Sequence, residues 1–202
     1  MKLSKRGEYA LRALIDLGVA AELGRPVVQV SELAEKEKLP SKFLEQIFIQ
    51  LKAGGFVTTT RGKLGGYSLA RSAGEIKFGQ VVRLVEGPLA PIPCVSVTAY
   101  ERCTCPDEAH CGLRMLMLDV RNAIASVLDR YTLAQIVEIT LRKLTRDGLT
   151  SPFFSRVGGL PPLPPELQML SANRPRASVN EFDRKNRPIP LRPKPSRGGP
   201  GR

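Results

Sequence analysis

A mainly helical fold with one small β-hairpin is what this 202-residue sequence predicts, and three observations carry it. Between Val30 and Ala53 two short amphipathic segments are separated only by Lys38-Leu39-Pro40, the pattern of a helix-turn-helix. Directly after them, the β-branched run Phe56-Val57-Thr58-Thr59-Thr60 and the return Tyr67-Ser68-Leu69 flank Gly62, Gly65 and Gly66, the pattern of a hairpin, or wing. Finally, Leu113, Leu116, Met117, Val120, Ile124, Val127, Leu128 and Tyr131 keep one apolar stripe for five turns, longer than a small winged domain can cover. The expected architecture is a winged helix-turn-helix domain followed by a long dimerisation helix.

Taken in order, Ser4 is placed to cap a first helix through Ala10, Leu11, Leu14, Ile15 and Leu17, ending near Gly24-Arg25-Pro26. The second helix spans Val30 to Glu37, with Ser31 as its expected cap and Glu32 and Glu35 near the positive end of its dipole. A third helix is expected to take Ser41 as N-cap and to close on a left-handed cap at Gly54-Gly55. Its residues Leu44, Ile47, Phe48 and Leu51 fall at i, i+3, i+4, i+7 and belong to the core, which turns Lys42, Glu45, Gln46 and Ile49 outward. An amide and a carboxylate on a helix sized for the major groove suit base edges; alone, the same face reads as a solvated surface. The adjoining wing tip, with Arg61 and Lys63 between glycines, favours the nucleic-acid reading, because a basic loop there can reach phosphates or the minor groove.

Beyond the wing, Phe78 to Glu86 reads as a short helix stopped by Gly87-Pro88, and Thr132-Leu133-Ala134-Gln135 has capping-box form for a last helix through Ile136, Val137, Leu141 and Leu144. The expected divisions are 1–88, the DNA-binding domain; 89–111, a cysteine-rich loop; 112–150, dimerisation helices; and 151–202, a basic Pro-rich tail. That tail carries 11 of the 17 prolines and a charge of +7 of the total +12, so it is expected to be disordered. A pI near 10.0 fits a polyanionic partner. No apolar run approaches the ~18 residues of a membrane span, and no signal segment opens the chain, so a cytoplasmic protein is expected.

In a reducing compartment four cysteines suggest metal binding or redox chemistry rather than structural disulfides. The segment runs Cys94…Cys103-Thr104-Cys105…His110-Cys111, with gaps of eight, one and five residues. Thiolates select soft metals, but this spacing favours neither zinc nor an iron–sulfur cluster by itself. Arg102 and Arg114 are expected to favour thiolates, and unmetallated thiols are the simpler alternative. Nucleophilic catalysis fits poorly, because His110 and Cys111 are sequence neighbours whose side chains diverge on a helix and no other acid–base constellation is present.

Several pieces together resemble one family: Met1-Lys2-Leu3-Ser4 with Tyr9-Ala10, Phe43-Leu44-Glu45-Gln46-Ile47-Phe48, Arg61-Gly62 with Gly65-Gly66-Tyr67, Gly79 to Glu86, and the cysteine segment through Thr132-Leu133. These resemble the IscR/NsrR-type winged helix-turn-helix transcriptional regulators, the Rrf-two family, over about the first three quarters of the chain. The resemblance implies a homodimer that reads double-stranded operator DNA. Ser41, Lys42, Phe43, Glu45, Gln46, Arg61 and Lys63 are the expected contacts. It also implies a cysteine-bound iron–sulfur cluster, 2Fe–2S in preference to 4Fe–4S, with zinc or no metal as alternatives. Cys94, Cys105 and Cys111 match the family's three thiolate ligands, and Cys103 is extra. In IscR-like members a histidine lies three residues past the last cysteine, where this chain has Arg114. Glu8 stands where NsrR-like members carry an acidic ligand, so Glu8 is the expected fourth ligand, Cys103 its alternative, and His110 a non-ligand. The resulting expectation is a redox- or cluster-responsive regulator, most simply a repressor. The alternatives are a thiol- or partner-controlled regulator without a cluster and a zinc-stabilised, nonspecific nucleic-acid adaptor.

Overall fold

The computed structural model describes residues 2–148, so the expected tail lies outside the described residues. Helix α1 (Lys5–Glu22) starts where the sequence places it: the Ser4 hydroxyl accepts from the Gly7 N–H at 3.0 Å and donates to Glu86 at 2.6 Å. Helices α2 (Val30–Glu37) and α3 (Ser41–Ala53) form the helix-turn-helix, joined through Lys38 in the left-handed region at φ 53°. Both expected serine caps are corrected. Val28 pairs with Tyr67 in an antiparallel bridge that leaves Gln29 extended, and the Gln29 carbonyl accepts from Glu32 and Leu33, which makes Gln29 the cap and puts Ser31 inside α2. At α3, Pro40 holds φ at −60° and its carbonyl accepts from Phe43 and Leu44, so Ser41 is the first helical residue.

Strands β1 (Val57–Thr60) and β2 (Gly66–Leu69) pair antiparallel, with Val57 opposite Leu69 and Thr60 opposite Gly66. A Cβ on Gly66 would run into the Val28 carbonyl, so glycine is what lets the linker before α2 lie against the wing. Helix α4 (Phe78–Glu86) ends at Gly87, φ 86°. A 3₁₀ turn at Ala73–Glu75, closed by a Ser72/Glu75 capping box, precedes it; sequence reasoning passed over this pair.

The core joins α1, α3, the wing and the last helix, α6 (Leu133–Arg146). Leu44, Ile47, Phe48 and Leu51 are all fully buried, as their spacing requires. Helix α6 opens on the expected capping box, with Thr132 N–H donating to Gln135 Oε1 at 3.0 Å and Gln135 N–H to Thr132 Oγ1 at 3.4 Å. It buries Leu133, Val137 and Leu141, and Leu133 and Val137 lie against the backbone of α1 at Gly18. Thus α6, grouped by sequence with the dimerisation helices, packs into the same core as the helix-turn-helix. The long helix α5 (Gly112–Arg130) buries none of its own residues. Its described attachment to α4 is a two-pronged ion pair, Arg83 to Asp129 at 2.6 and 2.7 Å.

Candidate nucleic-acid interface and thiol cluster

Helix α3 presents Ser41, Lys42, Glu45, Gln46 and Ile49 to solvent, Ile49 being 57% exposed. Because Pro40 supplies no side-chain cap, the first-turn amides carry the positive end of the helix dipole outward, a surface suited to phosphate. Phe43, also in the expected contact set, is half-buried, with its ring edge-on to Tyr9 at 6.0 Å. It props the start of α3 against α1.

The wing is fastened to α3 by Tyr67, whose ring stacks on Phe48 at 4.2 Å. Burial, and secondarily the Glu45 carboxylate, pushes the Tyr67 phenol above its ordinary range. Two further ties fix its pose: Gln29 Nε2 donates to the Lys63 carbonyl at 3.2 Å, and Lys52 Nζ donates to Thr59 Oγ1 at 2.9 Å. Arg61 and Lys63 remain exposed at the tip, beside Leu64 at 88% exposure. Behind the interface, Gln50 Nε2 donates to the Leu84 carbonyl at 2.8 Å and joins α3 to α4. Gln29 and Gln50 were missed by sequence reasoning; both act across more than 30 residues, beyond any local pattern.

The four cysteines are free thiols, and they collect around a cavity of about 300 Å³ at the entrance to α5. Cys94 is buried in a 3₁₀ turn (Pro93–Val95), while Cys111 is the N-terminal flanking residue of α5. Cys103 neighbours both Cys94 and Cys105, and Cys105 in turn neighbours Cys111. The expectation that Arg102 and Arg114 favour thiolates is not met at Cys94 and Cys105. Burial first, then Cys103 and Glu108, holds Cys94 above the ordinary thiol range; a hydrogen bond with Cys103, then burial and the neighbouring thiols, pushes Cys105 to about 11. Arg114 does not offset this, since its guanidinium is engaged by the Cys94 carbonyl at 3.3 Å and the Glu108 carboxylate at 3.1 Å. The Tyr100 hydroxyl also donates to Glu108 at 2.9 Å.

Glu8 does not line this cavity; on the first turn of α1 it pairs with Lys5 at 2.8 Å and Arg12 at 3.5 Å. The i−3 and i+4 spacing of those cations was a legible signal for that role. His110 is 85% exposed and turned to Asp107 at 2.7 Å. As donors, four thiols around one cavity suit a soft, thiophilic centre and offer little to a hard cation. Among the described residues no three His, Cys, Asp or Glu side chains are placed to share one metal ion as they stand.

A helix-turn-helix with a basic wing docked on its second helix defines the winged-helix class of DNA-binding proteins. Residues 3–139 match the Rrf2 family, described as "Iron-dependent Transcriptional regulator". The chain belongs to that family of transcriptional regulators and is not an enzyme. It is 34% identical over 137 residues to a putative rrf2-like HTH-type regulator of Rhodobacter capsulatus, covering 67% of this chain and 91% of the relative. It is also 40% identical over 86 residues to the regulator IscR of Cereibacter sphaeroides, covering 43% of this chain and 56% of that one. Among solved structures, CymR, the global cysteine regulator of B. subtilis, superposes with a TM-score of 0.58 at 29% identity, covering 69% of this chain and 98% of the other. The T. potens IscR structure superposes with a TM-score of 0.54 at 28% identity, covering 69% and 88%. No helix among the described residues is long and apolar enough to cross a membrane.

Proposed function

We propose that the protein is a homodimeric, operator-specific repressor whose DNA affinity responds to iron–sulfur or redox status through Cys94, Cys105 and Cys111. The observation that carries this reading is the position of the thiols at the root of a helix with no buried residue. Cys94 is tied by its carbonyl to Arg114 on α5, and Cys111 starts that helix. The exposed apolar side chains of α5, among them Leu113 (56%), Met115 (66%), Leu116 (56%) and Val127 (47%), supply a surface for a second copy. A cluster bound there would supply a redox-sensitive crosslink between loop and helix. The chain's own residues carry its effect onward: Arg83 and Asp129 couple α5 to α4, and Gln50 couples α4 to the recognition helix.

The test is operator footprinting and affinity measurement on anaerobically purified protein, with and without its bound metal, alongside sedimentation to determine oligomeric state. The reading expects a protected operator, a dimer, and affinities differing by at least about 5-fold between the two forms, the lower end of ordinary allosteric coupling. Equal affinities would remove the sensing role and leave the DNA-binding one. A second reading, a cluster-free thiol-controlled regulator, is favoured by the lack of three converged donors among the described residues and by the likeness to CymR. It predicts that thiol oxidation alone changes operator affinity.

A further inference from the structure

We infer that Leu64, at the tip of the wing, is an apolar wedge: it enters the minor groove of the bound duplex, opens one base step there and kinks the DNA. This rests on the reading above in placing the wing on operator DNA, and adds to it a residue that selects deformable sequence. Leu64 is 88% exposed, the highest value of any large apolar side chain among the described residues. The fold itself does not call for leucine at that position. The turn that carries it closes through backbone alone, with the Gly65 N–H donating to the Gly62 carbonyl at 2.9 Å. Its positive φ, 112°, falls on Gly62 and not on Leu64.

A single exposed leucine is ordinary on a protein surface, but the surroundings of this one select a duplex as its partner. Residues 56–70 contain Arg61 and Lys63 and no acidic residue, and neither cation has an ion-pair partner among the described residues. An apolar protein patch closing over Leu64 would leave both charges uncompensated, whereas a groove walled by phosphates pairs them. Shape agrees, since a minor groove about 6 Å wide admits a side chain from a hairpin tip and excludes a helix. The tip is also held firmly enough to push. Gln29 Nε2 donates to the carbonyl of Lys63, the residue before Leu64, at 3.2 Å. On the other side Gly65 lies so close to the Thr60 carbonyl oxygen that a Cβ would stand 2.3 Å from it, and Tyr67 anchors the returning strand on Phe48. Load on Leu64 therefore passes into α3 instead of being absorbed by a loose loop. A firmly held apolar side chain flanked by Arg and Lys is what unstacks a base step from the minor groove. Pyrimidine–purine steps unstack most easily, so the wing should favour one at its position without hydrogen-bonding its bases.

The test uses the full-length protein on the operator fragment that footprinting defines. Energy transfer between dyes at the two DNA ends reads the bend, and permanganate oxidation reads unstacked thymines. Wild type should bend the fragment by at least about 20° and expose a reactive thymine where the wing lies. Leu64→Ala should still protect the operator but lose most of the bend and the permanganate signal, and Leu64→Met should restore both. Replacing the pyrimidine–purine step by a stiff A-tract step should weaken wild-type binding by about 5-fold or more and Leu64→Ala binding much less. Far-UV circular dichroism and sedimentation of Leu64→Ala should match wild type, because the side chain touches no core residue. A protected but straight wild-type operator, or a Leu64→Ala complex bent like wild type, would overturn the wedge while leaving operator binding intact. A Leu64→Ala protein with altered oligomeric state would assign the leucine to a contact between copies and overturn it as well. Absence of any protected operator defeats both the wedge and the reading above.

Discussion

Replacing Gly18 by alanine tests whether α6 truly belongs to the core of the DNA-binding domain. In an exposed helix the change would stabilise by about 0.5–1 kcal/mol, because alanine loses less backbone freedom on folding. Here the new methyl would meet Val137 Cγ2 at 2.5 Å, with Leu133 behind it at 3.6 Å. Val137 is 2% exposed and β-branched, so it has no alternative rotamer to retreat into, and overpacking of this kind costs about 1–3 kcal/mol. The cost outweighs the gain, and a net loss of about 1 kcal/mol is expected. Val137→Ala empties the space the methyl needs. In that background Gly18→Ala should recover its helix-propensity gain, giving a coupling energy of about 2 kcal/mol in a double-mutant cycle. Urea unfolding followed by circular dichroism, at one fixed protein concentration because association contributes to stability, reads all four proteins. A Gly18→Ala protein as stable as wild type, or a cycle that closes with coupling under about 0.5 kcal/mol, would show that α6 does not pack on α1.

Gln46→Ala should cost about 1–3 kcal/mol on the operator and little on random DNA, whereas Arg61→Ala should flatten the salt dependence of binding; wild-type behaviour of both in a titration series would move the reading face elsewhere. Asp16 is buried beside Lys36 and Glu37, and burial pushes its carboxyl up to about 6. The native state therefore holds that proton more tightly than the unfolded chain does, and stability should fall as pH rises from about 4 through 6, by on the order of 3 kcal/mol. Asp16→Asn should abolish that slope in denaturation curves, and a retained slope would place the titrating group elsewhere. Leu116→Asp on the 56% exposed face of α5 should yield folded monomers with weakened operator affinity, and a dimer persisting in sedimentation would remove α5 from the interface. Truncation after Thr150 should preserve operator preference while weakening nonspecific binding, which competition with random DNA checks.

What the sequence determined by itself is everything carried by short-range pattern. The burial of Leu44, Ile47, Phe48 and Leu51 follows from helical spacing, the glycine-punctuated wing from turn chemistry, and the opening of α6 from the Thr132–Gln135 box. These signals act within one element, so neighbouring residues suffice to encode them. Tertiary structure decided the rest. The caps moved from Ser31 and Ser41 to Gln29 and Pro40 because Tyr67, 39 residues away, pairs with Val28 and a proline sets the start of α3. The Arg83–Asp129 clamp spans 46 residues, and the gathering of Cys103 with the other three thiols depends on how an irregular loop folds back. Helices α5 and α6 make the point most plainly, because both carry a continuous apolar stripe. Periodicity states that such a face must be covered; only the fold shows that the α6 stripe finds α1 within its own chain while the α5 stripe is left only partly covered.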